Sequence, residues 1–229
     1  TANKIYDEMI DFAKYAFNKS HAAAYAVVSY QTAWLKYYYP VEFMAALMTS
    51  VIDNPGKVSE YIYSCRQMGI KILPPDINKG EGSFSVDGGN IRYGLAAIKS
   101  IGKPVIESII QERKNGGEFS NLKDFIERLS GKEVNKRTIE SFIKSGAFDS
   151  LGGTRKQFMV VYVQILDQVN RERKYSMTGQ LSLFDIVSDD QKSEFDIPLP
   201  DVGEYEKETK LAFEKEVLGV YLSGHPLED

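Results

Sequence analysis

One long helical pattern, bounded by a serine and a proline, constrains this chain more than any other feature. From Ser20 to Tyr39 the apolar residues recur at three- and four-residue steps, which is the period of an α-helix. Ser20 is a residue type that caps helix starts, and Pro40 cannot continue a helix. The other faces of this stretch are also largely apolar, so we expect it to be buried on most sides. The sequence therefore predicts a mainly α protein.

Shorter patterns continue along the chain and divide it into parts. The spacing predicts further helices over 41–52, 57–68, 104–113, 122–129, 136–144, 154–172 and 206–222. Alternation over 83–93, interrupted by Asp-Gly-Gly-Asn, predicts a small β-hairpin. Residues 175–204 are rich in Ser, Asp, Pro and Gly, which favours a flexible linker. We therefore divide the chain at 1–75, 76–174, 175–204 and 205–229.

Composition excludes several kinds of site. The chain has one cysteine, Cys65, and two histidines, His21 and His225, so it can form neither an internal disulfide nor the usual Cys/His zinc site. Cys65 lies on the apolar stripe of a predicted helix, which favours a buried thiol over a nucleophile. No apolar run approaches the roughly 18 residues of a membrane helix. We expect a cytoplasmic protein without a structural metal, and the start at Thr1 without Met suggests a piece of a longer chain.

The net charge of −4 conceals an uneven distribution. Residues 81–174 carry 16 Lys and Arg against 12 Asp and Glu, whereas residues 175–229 carry 4 against 13. This asymmetry favours a polyanion-facing middle and a solvated acidic tail, and on charge alone a mild fluctuation explains it equally well.

Two glycine corners between helices carry the clearest chemical pattern, and each resembles a helix-hairpin-helix motif. Pro104 begins the helix after the first corner, where its missing N–H costs nothing. A glycine corner lets the backbone approach a ligand, and free N–H groups at a helix start suit a phosphate. The residues expected to contact DNA are Lys99, Ile101, Gly102, Lys103, Leu151, Gly152, Gly153, Thr154, Arg155 and Lys156.

The same corners also fit a simpler interpretation. A single hairpin of this kind is more often an ordinary turn between two helices. Two copies about fifty residues apart, both with basic residues, favour DNA binding instead. Arg155 and Lys156 oppose the dipole of their own helix, which is reasonable if an anion lies at that end.

Two short polar stretches are candidates for other ligands. Tyr15, Asn18, Lys19, Ser20 and His21 surround the start of the long helix and would suit a triphosphate, although a polar capping turn explains them as well. Within the predicted linker, apolar anchors in a polar segment are typical of a short peptide that docks into a partner's pocket. That peptide is Gln180, Leu181, Ser182, Leu183 and Phe184.

Several uninterrupted strings resemble the C-family of bacterial replicative DNA polymerases, the alpha subunits of DNA polymerase III. They lie at 17–25, 30–36, 39–46, 72–78, 145–149 and 218–226. The resemblance implies a helical fingers segment at 1–75, a β-hairpin and tandem helix-hairpin-helix domain at 76–174, a flexible linker, and at 205–229 the start of a connection to an OB-fold. It also implies that the five residues at 15–21 face the incoming nucleotide and that 180–184 bind the sliding clamp.

The resemblance further implies a DNA-directed DNA polymerase, a nucleotidyltransferase of DNA replication, as the parent protein. The implied partners are double-stranded DNA, a deoxynucleoside triphosphate, the sliding clamp beta subunit and other replisome subunits, with no membrane. The family's Mg²⁺-binding aspartates lie upstream, and this chain has no Asp-x-Asp pair, so we expect no cofactor and no activity for this chain alone. The alternative is a free-standing helix-hairpin-helix DNA-binding module, which would have no use for the polar strip at 18–21.

Overall fold

The computed structural model describes residues 2–16, 19–131, 134–177, 197–224 and 226, without the side chains of 14–16 and 175–177. The chain divides into two compact units, residues 1–44 and 45–229. This division lies earlier than the boundary expected near residue 75. The reason is a strand pairing between residues on either side of that boundary, described below.

The described residues are mainly helical, as predicted, with one small sheet. The strands are β1 (Ile72–Leu73), β2 (Ser85–Asp87) and β3 (Asn90–Arg92). The helices are α1 (Ala2–Ala16), α2 (Lys19–Tyr38), α3 (Pro40–Ser50), α4 (Pro55–Gln67), α5 (Lys103–Gly116), α6 (Leu122–Arg128), α7 (Lys136–Ser145), α8 (Arg155–Met177) and α9 (Lys207–Leu218).

Helix α2 follows the predicted helix closely in extent but not in burial. None of its residues is buried, and Tyr30 and Trp34 are 70% and 41% exposed. The expectation of a helix buried on most sides is therefore wrong for this structure. Apolar residues on all faces show that a helix could be buried. They do not show which other elements, if any, pack against it. Helix α1 had no predicted counterpart at all.

The predicted hairpin is present and belongs to a three-stranded sheet. Strands β2 and β3 pair antiparallel through a turn in which Gly88 and Gly89 both have positive φ, as the tightest hairpin turns require. Strand β1 pairs parallel to β3, with Ile72 opposite Ile91. This pairing joins the segment before residue 75 to the segment after it, so both lie in the second unit.

The core of the second unit is built from apolar stripes of the helices. On α4 the predicted stripe buries Val58, Ile62 and Cys65. Burial raises the pKa of the Cys65 thiol to about 11, which keeps it protonated and unreactive at neutral pH. A cluster of five phenylalanines, with neighbouring ring centroids 4.9 to 6.4 Å apart, fills the centre between α6, α7 and α8: Phe119, Phe125, Phe142, Phe148 and Phe158.

Helix α9 is an integral part of this core. It packs against α7, and its apolar residues Leu211, Val217 and Leu218 are buried. The buried Tyr93 hydroxyl donates to the carbonyl of Leu218 at 3.1 Å. The segment expected to begin a connection to a further domain therefore closes one side of the second unit.

Candidate nucleic-acid interface

The first corner is formed by a short turn and the start of α5. A 3-10 turn over Leu95–Ala97 takes the place of the short first helix, and the chain then runs through Ser100, a non-glycine residue with a φ of 70°. The Lys99 N–H donates to the carbonyl of Val217 at 2.8 Å, and its ammonium donates to the carbonyl of Glu216 at 2.9 Å. These bonds fix the corner against the end of α9.

The N-terminus of α5 differs from those of its neighbours because no side chain caps it. Gly102 occupies the N-cap position and Pro104 lies in the first turn. The starts of α4, α6 and α7 are instead capped by asparagine side chains, which accept a bond from a backbone N–H at 2.9 to 3.1 Å. Helix α5 therefore presents uncapped amides at the corner where the sequence predicts a phosphate.

A groove opens beside this uncapped start. A groove of about 440 Å³ lies between the first corner and the start of α7, lined by Ser100, Gly102, Val105, Val134, Asn135 and Thr138. Lys103 stands exposed at the first position of α5, and no ion-pair partner for it is found in the described parts of the chain. The first corner thus combines free amides, an unpaired cation and open access.

The second corner is different, because its arginine is part of the core. The Arg155 side chain is 5% exposed; its guanidinium pairs with Asp149 at 2.8 Å and with Glu214 at 3.4 Å. It also donates to the carbonyl of Lys144 at 3.3 Å. Gly146, in the left-handed conformation at the end of α7, lies directly against this guanidinium, and any Cβ there would collide with it.

Glu214 completes this network from α9. Its side chain is 1% exposed, and its second carboxylate oxygen accepts the N–H groups of Leu222 and Ser223 at 2.8 and 3.0 Å. A buried charge is tolerated only when it is paired and hydrogen-bonded in this way. The interpretation of Arg155 as a phosphate ligand is therefore corrected: its guanidinium is committed to Asp149 and Glu214, and it stabilises the fold.

The start of α8 is capped twice, once locally and once from a distant segment. Thr154 and Gln157 form a reciprocal capping box, with distances of 2.9 and 3.2 Å. The carboxylate of Glu204 accepts the N–H groups of Lys156 at 3.2 Å and Arg155 at 3.4 Å. An anion does lie at this helix end, as the basic residues suggested, and it belongs to the chain itself.

The predicted contact residues thus fall into three groups by exposure. The exposed residues are Lys99, Gly102, Lys103 and Gly152. The half-buried residues are Ile101, Gly153, Thr154 and Lys156. The buried residues are Leu151 and Arg155. Sequence reasoning missed Glu204, which lies 48 residues beyond Lys156. No local pattern marks a cap contributed over that distance.

The polar strip at the start of α2 is only partly described. Lys19, Ser20 and His21 are exposed in the first turn, and the His21 ring lies 4.4 Å from that of Tyr25. Tyr15 belongs to α1 and its side chain is not described, while Asn18 lies outside the described residues. The peptide Gln180, Leu181, Ser182, Leu183 and Phe184 also lies outside them.

Two further properties of the described residues bear on other functions. They contain no helix that is both long and apolar enough to cross a membrane. The same residues bring together no group of three or more His, Cys, Asp or Glu side chains that could hold a metal ion.

Comparison with known proteins first identifies the class of domain. A family model described as a helix-hairpin-helix motif matches residues 69–158. The match begins before β1 and ends in α8, so it contains both corners. The second unit therefore contains a helix-hairpin-helix domain.

The relatives then identify the protein family. The chain is 44% identical over 226 residues to the DNA polymerase III subunit alpha of Mycobacterium tuberculosis, covering 97% of this chain and 19% of that protein. The subunits of Vibrio cholerae and Escherichia coli are also 44% identical, over 229 and 227 residues, and the chain spans 20% of each. The resemblance seen in the sequence is confirmed: this chain corresponds to a segment of DNA polymerase III alpha subunits, about a fifth of their length.

The Arg155 network makes a prediction about stability. Glu214→Ala removes one partner of a buried charge and leaves two backbone amides without an acceptor. We expect the free energy of unfolding to fall by about 3–5 kcal/mol, the usual cost of breaking a buried pair. Urea unfolding followed by circular dichroism measures this change.

Glu216→Ala is the matched control for that variant. Glu216 lies two residues further along α9, and its exposed carboxylate pairs with Lys144 at 2.8 Å. A surface pair of this kind contributes about 1 kcal/mol or less. Equal losses for the two variants would contradict the role given to the buried network.

Proposed function

We propose that this chain is the part of a DNA polymerase III alpha subunit that holds double-stranded DNA through phosphate contacts. The first corner carries the proposal, because α5 begins with uncapped amides beside the unpaired cation of Lys103. Phosphate contacts carry no base information, so binding is independent of sequence and weakens as salt rises. The match to a helix-hairpin-helix family and the names of the relatives support the same function.

The alternative is a free-standing helix-hairpin-helix module. Identity to the relatives extends over 97% of the chain and so includes the first unit, which a DNA-binding module alone would not need. This observation favours the polymerase segment. We further propose a cytoplasmic location and other replisome subunits as neighbours.

In the parent polymerase, we propose that the start of α2 faces the incoming nucleotide. Lys19, Ser20 and His21 occupy consecutive positions in the first turn, where an ammonium, a hydroxyl and an imidazole surround an electropositive helix end. Tyr15 and Asn18 precede them in the sequence. Such a set favours binding of a triphosphate and leaves Mg²⁺ to carboxylates elsewhere in the parent protein.

We also propose that residues 180–184 are a docking peptide for the sliding clamp beta subunit. The support is the sequence: Leu181, Leu183 and Phe184 are apolar anchors inside an acidic, polar segment. One such peptide binds modestly, and attachment to DNA on the same chain raises its effective concentration at the clamp. Phosphoryl transfer itself belongs to the parent protein, so this chain alone is expected to be inactive.

Lys103→Gln tests the DNA contact. Removing one charged phosphate contact should weaken binding to duplexes of unrelated sequence by about tenfold and reduce the salt slope by about one. Fluorescence anisotropy at rising salt measures both quantities. Lys114→Gln is the control: it removes the same charge at the other end of α5, about 16 Å away, and should leave binding nearly unchanged. Equal effects of the two variants would exclude the first corner as the contact.

Lys19→Ala and His21→Ala test the nucleotide contact in a full-length alpha subunit. Each should raise the KM for the nucleotide about 10- to 100-fold, the cost of one charged hydrogen bond, because the side chain binds substrate rather than metal. Single-nucleotide incorporation at limiting nucleotide measures this. Lys36→Ala, near the other end of α2, is the control. Unchanged kinetics in both variants would show that Lys19 and His21 do not bind the nucleotide and that these polar residues only cap the helix.

The clamp peptide is tested by replacing Leu183 and Phe184 together with Ala. The double variant should lose most of its binding to the purified clamp in a calorimetric titration while keeping its thermal stability, since the anchors bind a partner. Replacing the neighbouring apolar pair Ile186 and Val187 with Ala is the control, expected to bind normally. A clamp affinity unaffected by the Leu183 and Phe184 changes would show that the contact lies elsewhere.

A further inference from the structure

A short segment of the chain lies across the second corner. Residues 197–205, which we call the strap, run from the first described residue after the linker to the start of α9. The Gln157 amide donates to the carbonyl of Pro200 at 2.9 Å, and the Thr154 hydroxyl donates to the carbonyl of Gly203 at 2.6 Å. Leu199 and Phe158 line one small groove beside the corner. The strap therefore covers the start of α8.

Glu204 places a carboxylate where a phosphate would bind. Its two oxygens accept the amides of Lys156 at 3.2 Å and Arg155 at 3.4 Å, and the Tyr205 N–H donates to it at 2.8 Å. These amides belong to two of the residues that the sequence assigned to DNA. Carboxylate and phosphate are both oxyanions, so they compete for the same donors and the same helix dipole.

We propose that the strap is an intramolecular competitor of DNA: Glu204 occupies the phosphate site of the second corner in the free chain, and a backbone phosphate of the duplex displaces it. This inference rests on the proposed function. It means that the two corners are not equivalent in the free chain. The first corner is open, and the second becomes available only when the strap leaves.

The strap is attached weakly enough to be displaced. None of its residues is buried, and the Glu204 side chain is 30% exposed. Helix α9, directly after it, is held by buried residues that include Leu211, Glu214 and Leu218. The strap can therefore leave the corner while α9 stays in place, and its departure uncovers the groove that Leu199 shares with the core residue Phe158.

Strap release and DNA binding are then linked thermodynamically. Whatever free energy holds Glu204 on α8 is subtracted from the DNA affinity of the second corner. A variant that weakens the Glu204 contact must bind DNA more tightly. DNA must in turn loosen the strap by the same coupling.

Glu204→Gln in the 229-residue chain tests the proposal, with Glu206→Gln as the matched control. Both variants remove one negative charge, but the exposed Glu206 side chain makes no capping bond. Glu204→Gln should bind a labelled duplex about three- to tenfold more tightly than wild type, with a salt slope steeper by about one. Glu206→Gln should stay close to wild type.

Amide hydrogen exchange of the wild-type chain gives a second, independent measurement. The Tyr205 N–H should exchange faster when duplex DNA is added, because the released strap exposes this amide, and its bond to the adjacent Glu204 side chain, to water. This readout does not depend on whether a variant folds normally. Unchanged exchange at Tyr205 in a DNA-saturated sample overturns the proposal.

The remaining outcomes separate this inference from the proposed function. If wild type binds DNA but both glutamine variants bind equally well or equally tighter, the strap is not a competitor and the DNA-binding function stands. If only Glu204→Gln binds, the competition is supported and the first corner is insufficient alone. If no protein binds at any salt concentration, both the inference and the proposed function are wrong.

Discussion

The second unit depends on one buried guanidinium. Arg155 joins the end of α7, the second corner and α9 through the carbonyl of Lys144 and the carboxylates of Asp149 and Glu214. A charge removed from water is costly unless all of its partners are in place, so these elements must be assembled together. The glycine at 146 follows from the same constraint, because the guanidinium occupies the space of its Cβ.

This constraint separates two corners that look alike in sequence. Both have glycine, a basic residue and a following helix. At the first corner no ion-pair partner for Lys103 is found among the described residues, and no side chain caps α5. At the second corner, the Arg155 guanidinium is paired within the core, and the Glu204 carboxylate accepts the amides at the start of α8. Basic residues near a helix start therefore indicate that an anion is present, but they do not indicate whether it is a ligand or part of the chain.

The sequence predicts those parts of the fold that depend on neighbours within one turn or one hairpin. The turn at Gly88 and Gly89 is of this kind, and the predicted helices match those of the structure within a few residues at their ends. The pairing of β1 with β3 and the cap at Glu204 were not predictable, because their partners lie 19 and 48 residues away. For the same reason the sequence does not show that the Arg155 guanidinium is paired within the core.

Three of the strings that carry the family resemblance contribute bonds that hold the second unit together. In the string at 72–78, the Ile77 N–H donates to the carbonyl of Ala147, in the string at 145–149, at 2.9 Å. The string at 218–226 provides the amides of Leu222 and Ser223 that bind Glu214. Phosphate recognition, in contrast, uses backbone amides, which every residue type except proline has. Three of these strings thus contribute backbone groups that hold the second unit together. The surface proposed to meet DNA is distinguished by two absences within the described residues: a side-chain cap at Gly102 and an ion-pair partner for Lys103.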